Sequence, residues 1–459
     1  MPEQFKHYLE IVGQQIRWKR ARLVLLEELE DHASEQLEAC LEEGLSQEEA
    51  VQETLRQLGD PVEIGQQLDQ VHRPKPQWGL LLLVSLLSLA GMALQLVLLA
   101  DANRGPAPER LLLWAVLGLG ALVAGYFINY AKLIRWGDWV FLGAAALTMA
   151  LLVLSPIRNN APYLARYMTF LYPVVFGLSL CCRRGKGWWG LLCSLTVLVM
   201  LLALAMMVPS MKDGLILLLS AGVLLLAAVW KDWFGIGRKK GLAVYGVGLL
   251  CGVVLLFLLV TQGAYAVRRL EMALHPEADP MGAGYMGTII HSLLAGAQTW
   301  GTGEVTGYLV GRNYWQVVPE STRDAFLVTV IHFLGWAPFL LLLGGLALLL
   351  LWAAVKSFRQ KNSTAQLLTQ SILLLFLGNT ALGLLLTLGF VVAGSHCSFL
   401  QMSFETVLNL GLMGLLLSVF RQETLPYTAV QEPHLDPEDQ PHTPREWLHF
   451  LLDPNLDEE

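Results

Sequence analysis

Apolar residues in this chain fall into long unbroken runs, not into the alternation of a half-buried strand. Ten such runs lie at roughly residues 78–100, 111–131, 137–155, 167–182, 188–208, 213–230, 241–262, 324–352, 366–393 and 403–420. A helix needs about 20 apolar residues to cross a bilayer. The fourth run is short by that measure; the eighth and ninth are long enough to tilt or to include interfacial turns. The pattern predicts an all-α fold: a polytopic helical membrane protein with ten transmembrane helices, at 78–421. The first run follows a polar, charged stretch, so it does not read as a cleaved leader.

The flanks have a different pattern. Residues 1–70 are polar with helical periodicity, over 5–42 and again in "GLSQEEAVQETLRQLGDP". There Gly44 ends one helix, Ser46 and Glu49 have capping-box spacing for the next, and Gly59 with Pro61 ends it. "VEIGQQLDQV" starts a third. The expectation is a three-helix cytoplasmic regulatory domain that contacts a partner and does no chemistry. The words "EELEDHASEQLEACLEEGLSQEEAVQETLRQLGDP" resemble a small helical prefix domain found ahead of bacterial permease-like proteins. Residues 71–77, "VHRPKPQ", read as a stiff linker. The tail 422–459 is acidic and contains Pro, with a short amphipathic stretch around "REWLHFLLDP" that would lie on the membrane or fold back onto the head.

Only 15% of the 459 residues are charged, and mean hydropathy is +0.50, in keeping with a membrane chain. Positive charge collects in alternate connections: Lys132 and Arg135; Arg183, Arg184 and Lys186; Lys231, Arg238, Lys239 and Lys240; Lys356, Arg359 and Lys361. The positive-inside rule makes these cytoplasmic, which puts both termini inside and the long loop 263–323 outside. Trp78, Trp136, Trp139, Trp188, Trp189, Trp230 and Trp352 sit at span ends, as interfacial anchors do. No basic tract suggests nucleic acid. The six cysteines lack metal-ligand spacing, and no disulfide or zinc site is expected. Polar residues inside spans are few: Asn129, His332, Asn379 and Asn409. A chain of ionisable groups, as a proton-coupled transporter would need, is missing.

The loop 263–323 carries the chemistry-bearing residues. Its segment "YMGTIIHSLLAGA" is apolar enough for an interfacial or re-entrant helix. Glycines 296, 301, 303, 307 and 311 follow at short intervals. Such spacing lets backbone approach a ligand and exposes N–H groups; it equally describes a flexible connector. Asp324 stands where the chain re-enters apolar sequence. Position alone favours a cap, since Ser321 and Asp324 have capping-box spacing before an apolar helix and an aspartate there suits the helix dipole. The loop acids Asp279 and Glu304 read as solvated. Asp213, beside Lys212, reads as a helix cap or as the partner of that lysine.

These features together resemble the SEDS family of cell-wall polymerases and division or sporulation proteins, typified by FtsW, RodA and SpoVE. Members have ten spans, cytoplasmic ends and a large external loop between the seventh and eighth spans. The family's loop arginines and following proline match Arg268, Arg269 and Pro276. Asp279, Gly282, Gly284, Tyr285 and Ser292 follow in order, with Met286 where the family has Gln. Its glycine ladder matches Gly301, Gly303, Gly307 and Gly311. Its proline, acidic position and Asp-Phe map onto Pro319, Asp324 and Phe326, and a later glycine onto Gly335. Asp213 and Gly214 match part of its Pro-Asp-Leu-Gly stretch. The departures are plain. The Gln-Pro-Ser-Glu motif is absent, with Pro173 as its one remnant. "SHCSFLQMSFE" replaces the stretch before the last span, and His332 stands where an acidic pair is expected.

The resemblance implies a peptidoglycan glycosyltransferase that polymerises lipid II, or a similar undecaprenyl-linked substrate, at the outer face of the bacterial cytoplasmic membrane. One sugar hydroxyl attacks an anomeric carbon that bears a lipid pyrophosphate. Asp324 would be the general base. Arg268, Arg269, Arg312 and Arg323 would stabilise the pyrophosphate, which guanidinium groups bind as a fork. A divalent cation, Mg or Mn, would assist, although no metal motif is visible. The partner would be a single-span penicillin-binding transpeptidase. A cap and a base compete for the same carboxylate, because a cap bonded to its own backbone is a poor base. The lost motifs leave open an inactive scaffold or sensor, and a precursor flippase or transporter is the third reading.

Overall fold

The fold is described here from a computed structural model, over residues 3–74, 76–100, 108–158, 161–208, 211–262, 264–306, 310, 314–318, 325–360, 362–391 and 399–422. The chain divides into two compact units, Met1–Lys75 with Gln422–Glu459, and Pro76–Arg421.

The head has four helices where the periodicity predicts three: α1 (Glu3–Gln15), α2 (Lys19–Glu42), α3 (Gln47–Leu58) and α4 (Pro61–His72). The predicted helix over 5–42 is broken between α1 and α2. The Arg17 N–H donates to the Asp69 carboxylate at 2.9 Å, and the Arg22 guanidinium donates to the Ile16 carbonyl at 3.1 Å. These partners satisfy the backbone that a continuous helix would have used, and the one at Asp69 is too remote in sequence for a periodicity to show. The later boundaries follow the sequence. Gly44 has φ +90°, Gly59 has φ +87°, and the Ser46–Glu49 capping box is formed in both directions. Phe5, Tyr8, Val12, Ile16, Ala21 and Leu25 are among the side chains that form the core. The tail from residue 423 lies outside the described residues.

The membrane unit runs α5 (Trp78–Ala100), α6 (Pro108–Phe127), α7 (Tyr130–Arg135), α8 (Gly137–Leu154), α9 (Ala165–Cys181), α10 (Gly187–Met207), α11 (Met211–Trp230) and α12 (Arg238–Gln262). After the loop helices α13 (Ala264–Leu274), α14 (Tyr285–Ala295), α15 (Tyr314–Val317) and α16 (Phe326–Leu334) come α17 (Trp336–Phe358), α18 (Ser363–Thr387) and α19 (Phe404–Arg421). Eight of these are long and apolar enough to cross a membrane. The 17-residue apolar α9 and the 25-residue α12 occupy the two other predicted spans. A two-residue antiparallel pairing, Ile157 opposite Pro162, is the one strand pair among the described residues.

Two boundaries differ from the hydropathy pattern. The second span stops at Phe127. Asn129 therefore lies outside it and caps α7, accepting from the Ala131 and Lys132 N–H groups. The eighth predicted span, 324–352, is two helices, because Gly335 has φ +94° and ends α16. The long helix starts at Trp336. Hydropathy is blind to this break, since both sides are equally apolar.

Most spans turn an apolar face to the outside, as lipid exposure requires, whereas α18 and α19 are 67% and 61% buried over their apolar windows and so sit at the centre. Close approach of α6 and α19 rests on small residues. A Cβ at Gly414 would lie 2.9 Å from the Tyr126 N, and one at Gly125 would lie 2.9 Å from the Leu415 N. Helices in lipid gain by such packing because apolar side chains alone do not drive them together.

Candidate functional site

The predicted outer loop is a packed subdomain over its described part. Ile289, Ile290 and Leu293 of α14 form a buried cluster with Tyr314, Val318, Ala325 and Val328. The apolar segment predicted to form a helix is α14. Its entry is built by Asp279, whose carboxylate accepts from the Ala283 N–H at 3.1 Å and from the Arg268 guanidinium at 3.2 Å. Asp279 is therefore a turn-former with an ion-pair partner, not the solvated acid read from sequence. A Cβ at Gly282 would lie 2.6 Å from that carboxylate, and one at Gly284 would lie 2.8 Å from the Pro276 carbonyl carbon. Glycine is required at both by close approach. Tyr285 begins the helix, and the Ser292 hydroxyl donates back to the Thr288 carbonyl at 2.9 Å. The Ser292 carbonyl in turn accepts from the Thr306 hydroxyl at 2.7 Å.

Two glycines of the ladder, Gly301 and Gly303, are engaged within the fold. The Gly301 N–H donates to the Leu334 carbonyl at 2.9 Å, and the Gly303 N–H to the His332 carbonyl at 2.6 Å. In return the Trp336 and Ala337 N–H groups donate to the Gln298 and Thr299 carbonyls, each at 3.0 Å. Residues 298–303 thus clamp the break between α16 and α17. The last carbonyls of one helix and the first amides of the next would otherwise lack partners. These glycine N–H groups are consumed by the fold and do not face a ligand. Gly301 itself has φ +87°, and a Cβ at Gly335 would lie 2.6 Å from the Thr299 carbonyl oxygen.

Under this clamp lies an aromatic layer. The Tyr314 ring stacks on His332 with centroids 4.7 Å apart and planes 5° apart, and Trp315 stacks on Phe333 at 5.4 Å. The Tyr314 hydroxyl pairs with the Thr329 hydroxyl at 2.8 Å. Burial pushes the Tyr314 phenol well above its ordinary pKa. His332 is fully packed and Nδ1 has no hydrogen-bond partner.

Asp324, Arg323, Arg312, Pro319, Gly307 and Gly311 lie outside the described residues, and of Arg269 only the backbone, in α13, is described. Val318 and Ala325, on either side of segment 319–324, are both buried in the α14 cluster. The cap of α16 is Ala325, with helix from Phe326 and no side-chain cap. The capping box read from Ser321 and Asp324 would put the N-cap at Ser321, four residues before the described N-cap of α16.

A second polar site was only half visible in the sequence. Lys212 lies 3.8 Å from Asp213 and 3.8 Å from Glu405, and the Thr169 hydroxyl donates to Asp213 at 2.9 Å. The side chains of Lys212 and Asp213 are 4% exposed, and that of Glu405 is 13% exposed. Lys212 also lies over the Phe170 ring, 5.8 Å from its centroid. Counting spans puts these ends of α9, α11 and α19 on the same side as the outer subdomain. The Lys212–Asp213 pairing follows from adjacency. Glu405 and Thr169 are distant in sequence, and their one signal is a polar residue at a span end.

Comparison with known proteins agrees with this architecture. The family model of the FtsW, RodA and SpoVE cell cycle proteins matches residues 179–425, more than half of the chain. A probable peptidoglycan glycosyltransferase FtsW of Idiomarina loihiensis is 26% identical over 276 residues, which cover 59% of this chain. The match spans 58% of that relative's own length. A chain solved in a study of the structural coordination of polymerization and crosslinking by a peptidoglycan synthase complex superposes with a TM-score of 0.58. It is 18% identical and covers 76% of this chain and 98% of its own. A variant of the rod shape determining protein RodA of Thermus thermophilus superposes with a TM-score of 0.50 at 15% identity, with the same coverage. At these identities the two structures speak for the fold. This chain belongs to the FtsW, RodA and SpoVE family of cell cycle proteins.

Proposed function

We propose that this protein is a glycosyltransferase that polymerises lipid II, or a similar undecaprenyl-linked sugar, at the outer face of the bacterial cytoplasmic membrane, with both termini inside. The observation that supports this best is the outer subdomain. Its buried cluster includes Val318 and Ala325, on both sides of Asp324, at the place where the family pattern puts its aspartate.

The chemistry asks little of the protein. The attacking hydroxyl needs a base, and Asp324 takes its proton. The leaving diphosphate needs cations, which Arg268, Arg269, Arg312 and Arg323 supply. Of these, Arg268 is exposed and tied to Asp279 at 3.2 Å, so binding a diphosphate would exchange one anion for another. Among the described residues no three His, Cys, Asp or Glu side chains converge on a metal-sized space. A divalent cation such as Mg or Mn would therefore arrive with the diphosphate, and no step here depends on it. Asp213 is held in the buried Lys212 cluster and has a positioning part.

The partner in this reading is a single-span penicillin-binding transpeptidase. The rival reading is a scaffold without catalysis. It is favoured by the way the Gly301 and Gly303 N–H groups and Arg268 are already engaged within the protein. The test is gel detection of glycan strands from labelled lipid II by the purified protein in liposomes, with and without the transpeptidase. Strands in either arm support the polymerase; none in both, beside an active control enzyme, supports the scaffold.

A further inference from the structure

The head has an open apolar groove that the proposed reaction does not use. It measures about 410 Å³ and is lined by Gln4, His7, Tyr8 and Ile11 of α1, Leu55 of α3, and Gly59 and Pro61 at the turn into α4. Its walls lack carboxylates, although residues 1–75 carry 16 acidic against 8 basic side chains. Its apolar walls suit an occupant that presents one apolar helical face.

The chain contains one. In "TPREWLHFLLDP", Thr443 and Glu446 have capping-box spacing, and Pro444 stands at the first helical position. Trp447, Leu448, Leu451 and Leu452 then fall on one helical face, and Asp453–Pro454 ends the pattern. A helix of about ten residues is marginal in water unless its apolar face is covered. The membrane surface is a poor cover. Helices that lie on anionic bilayers are rich in Lys and Arg, and residues 443–459 carry five acids and one arginine. An even number of spans returns the chain to the face where it entered. The 25 residues from Gln422 to Trp447 reach up to about 80 Å when extended.

We infer that the segment Thr443–Pro454 docks as a short helix in the groove between α1, α3 and α4 of its own head, Trp447 and Leu451 filling it. The head would then carry a removable plug from its own chain, which a competing partner helix displaces.

The test uses the full-length protein in nanodiscs of phosphatidylethanolamine and phosphatidylglycerol. A p-benzoylphenylalanine replaces Trp447, and crosslinked peptides are mapped by mass spectrometry after irradiation. The expected product is an intrachain crosslink to residues 4–11 or 55–61. Leu451→Asp, which leaves the head sequence intact, should lower its yield roughly tenfold or more. In parallel, removing residues 443–459 should speed hydrogen exchange in α1. Crosslinks to lipid, to the membrane unit or between two copies overturn the proposal. So do the absence of any crosslink and a yield indifferent to Leu451→Asp. None of these readouts depends on glycan synthesis.

Discussion

Replacing Lys212 by Met tests the reading of the buried cluster in the membrane unit. Lys212 faces two carboxylates at 3.8 Å each. At an effective dielectric constant near 20 each attraction is worth about 4 kcal/mol. Desolvation of the three ions takes back several kcal/mol per ion, so the cluster's net worth is small. Removing the cation alone is another matter, because two nearly buried carboxylates then lose the cation they share, at a cost of about 3–5 kcal/mol. Unfolding entropy near 2.1 cal/mol/K per residue, over a unit of roughly 350 residues, converts this into a fall in Tm of about 4–7 °C. Glu405→Gln alone leaves Lys212 paired with Asp213 and should cost less than Lys212→Met. The double variant should be more stable than Lys212→Met alone, because one of the two carboxylates that shared the cation is no longer charged. Thermal unfolding in detergent, followed by tryptophan fluorescence, gives all three numbers and closes a double-mutant cycle. A Lys212→Met protein that melts with wild type, or strict additivity in the double variant, would refute this account.

Other consequences are equally direct. Gly335→Ala forces a side chain onto φ +94° and against the Thr299 carbonyl; it should cost about 1–3 kcal/mol and speed hydrogen exchange at the Gly301 and Gly303 amides. Tyr314→Phe removes the bond to Thr329 but keeps the stack on His332, so it should cost about 0.5–1.5 kcal/mol in thermal unfolding. In the head, hydrogen bonds from the Ser46 hydroxyl and backbone hold the Glu49 carboxyl below its ordinary range. Its folded pKa is depressed, so its stabilisation is present above the unfolded value and fades as pH falls through the folded one. Ser46→Ala should remove about 1 kcal/mol and flatten the acid side of the head's stability profile; an unchanged profile would show that the box is not coupled to folding.

Much of this architecture was legible because bilayer crossing writes itself as length and hydropathy. Eight of the ten runs hold a described helix long and apolar enough to cross a membrane, and the capping box read at Ser46 and Glu49 marks a real helix start. What escaped was set by tertiary partners. The break between α1 and α2 depends on Asp69, more than fifty residues away. The break at Gly335 depends on carbonyls of residues 298 and 299. At Gly301 and Gly303 the backbone does approach closely, and the partner there is the α16–α17 junction. Glu405 gave no signal as a partner of Lys212, because a pairing across almost two hundred residues leaves no local pattern. The ring stack of Tyr314 on His332 was equally silent in the sequence.

The most direct test of the central claim is lipid II polymerisation by wild type and Asp324→Asn, side by side, at equal folded protein in liposomes. Loss of a general base typically costs 10²–10⁴-fold in rate, so the account predicts glycan strands from wild type and essentially none from the variant. Strands at comparable rates from both would contradict it, and would leave Asp324 with a structural part at the entrance to α16.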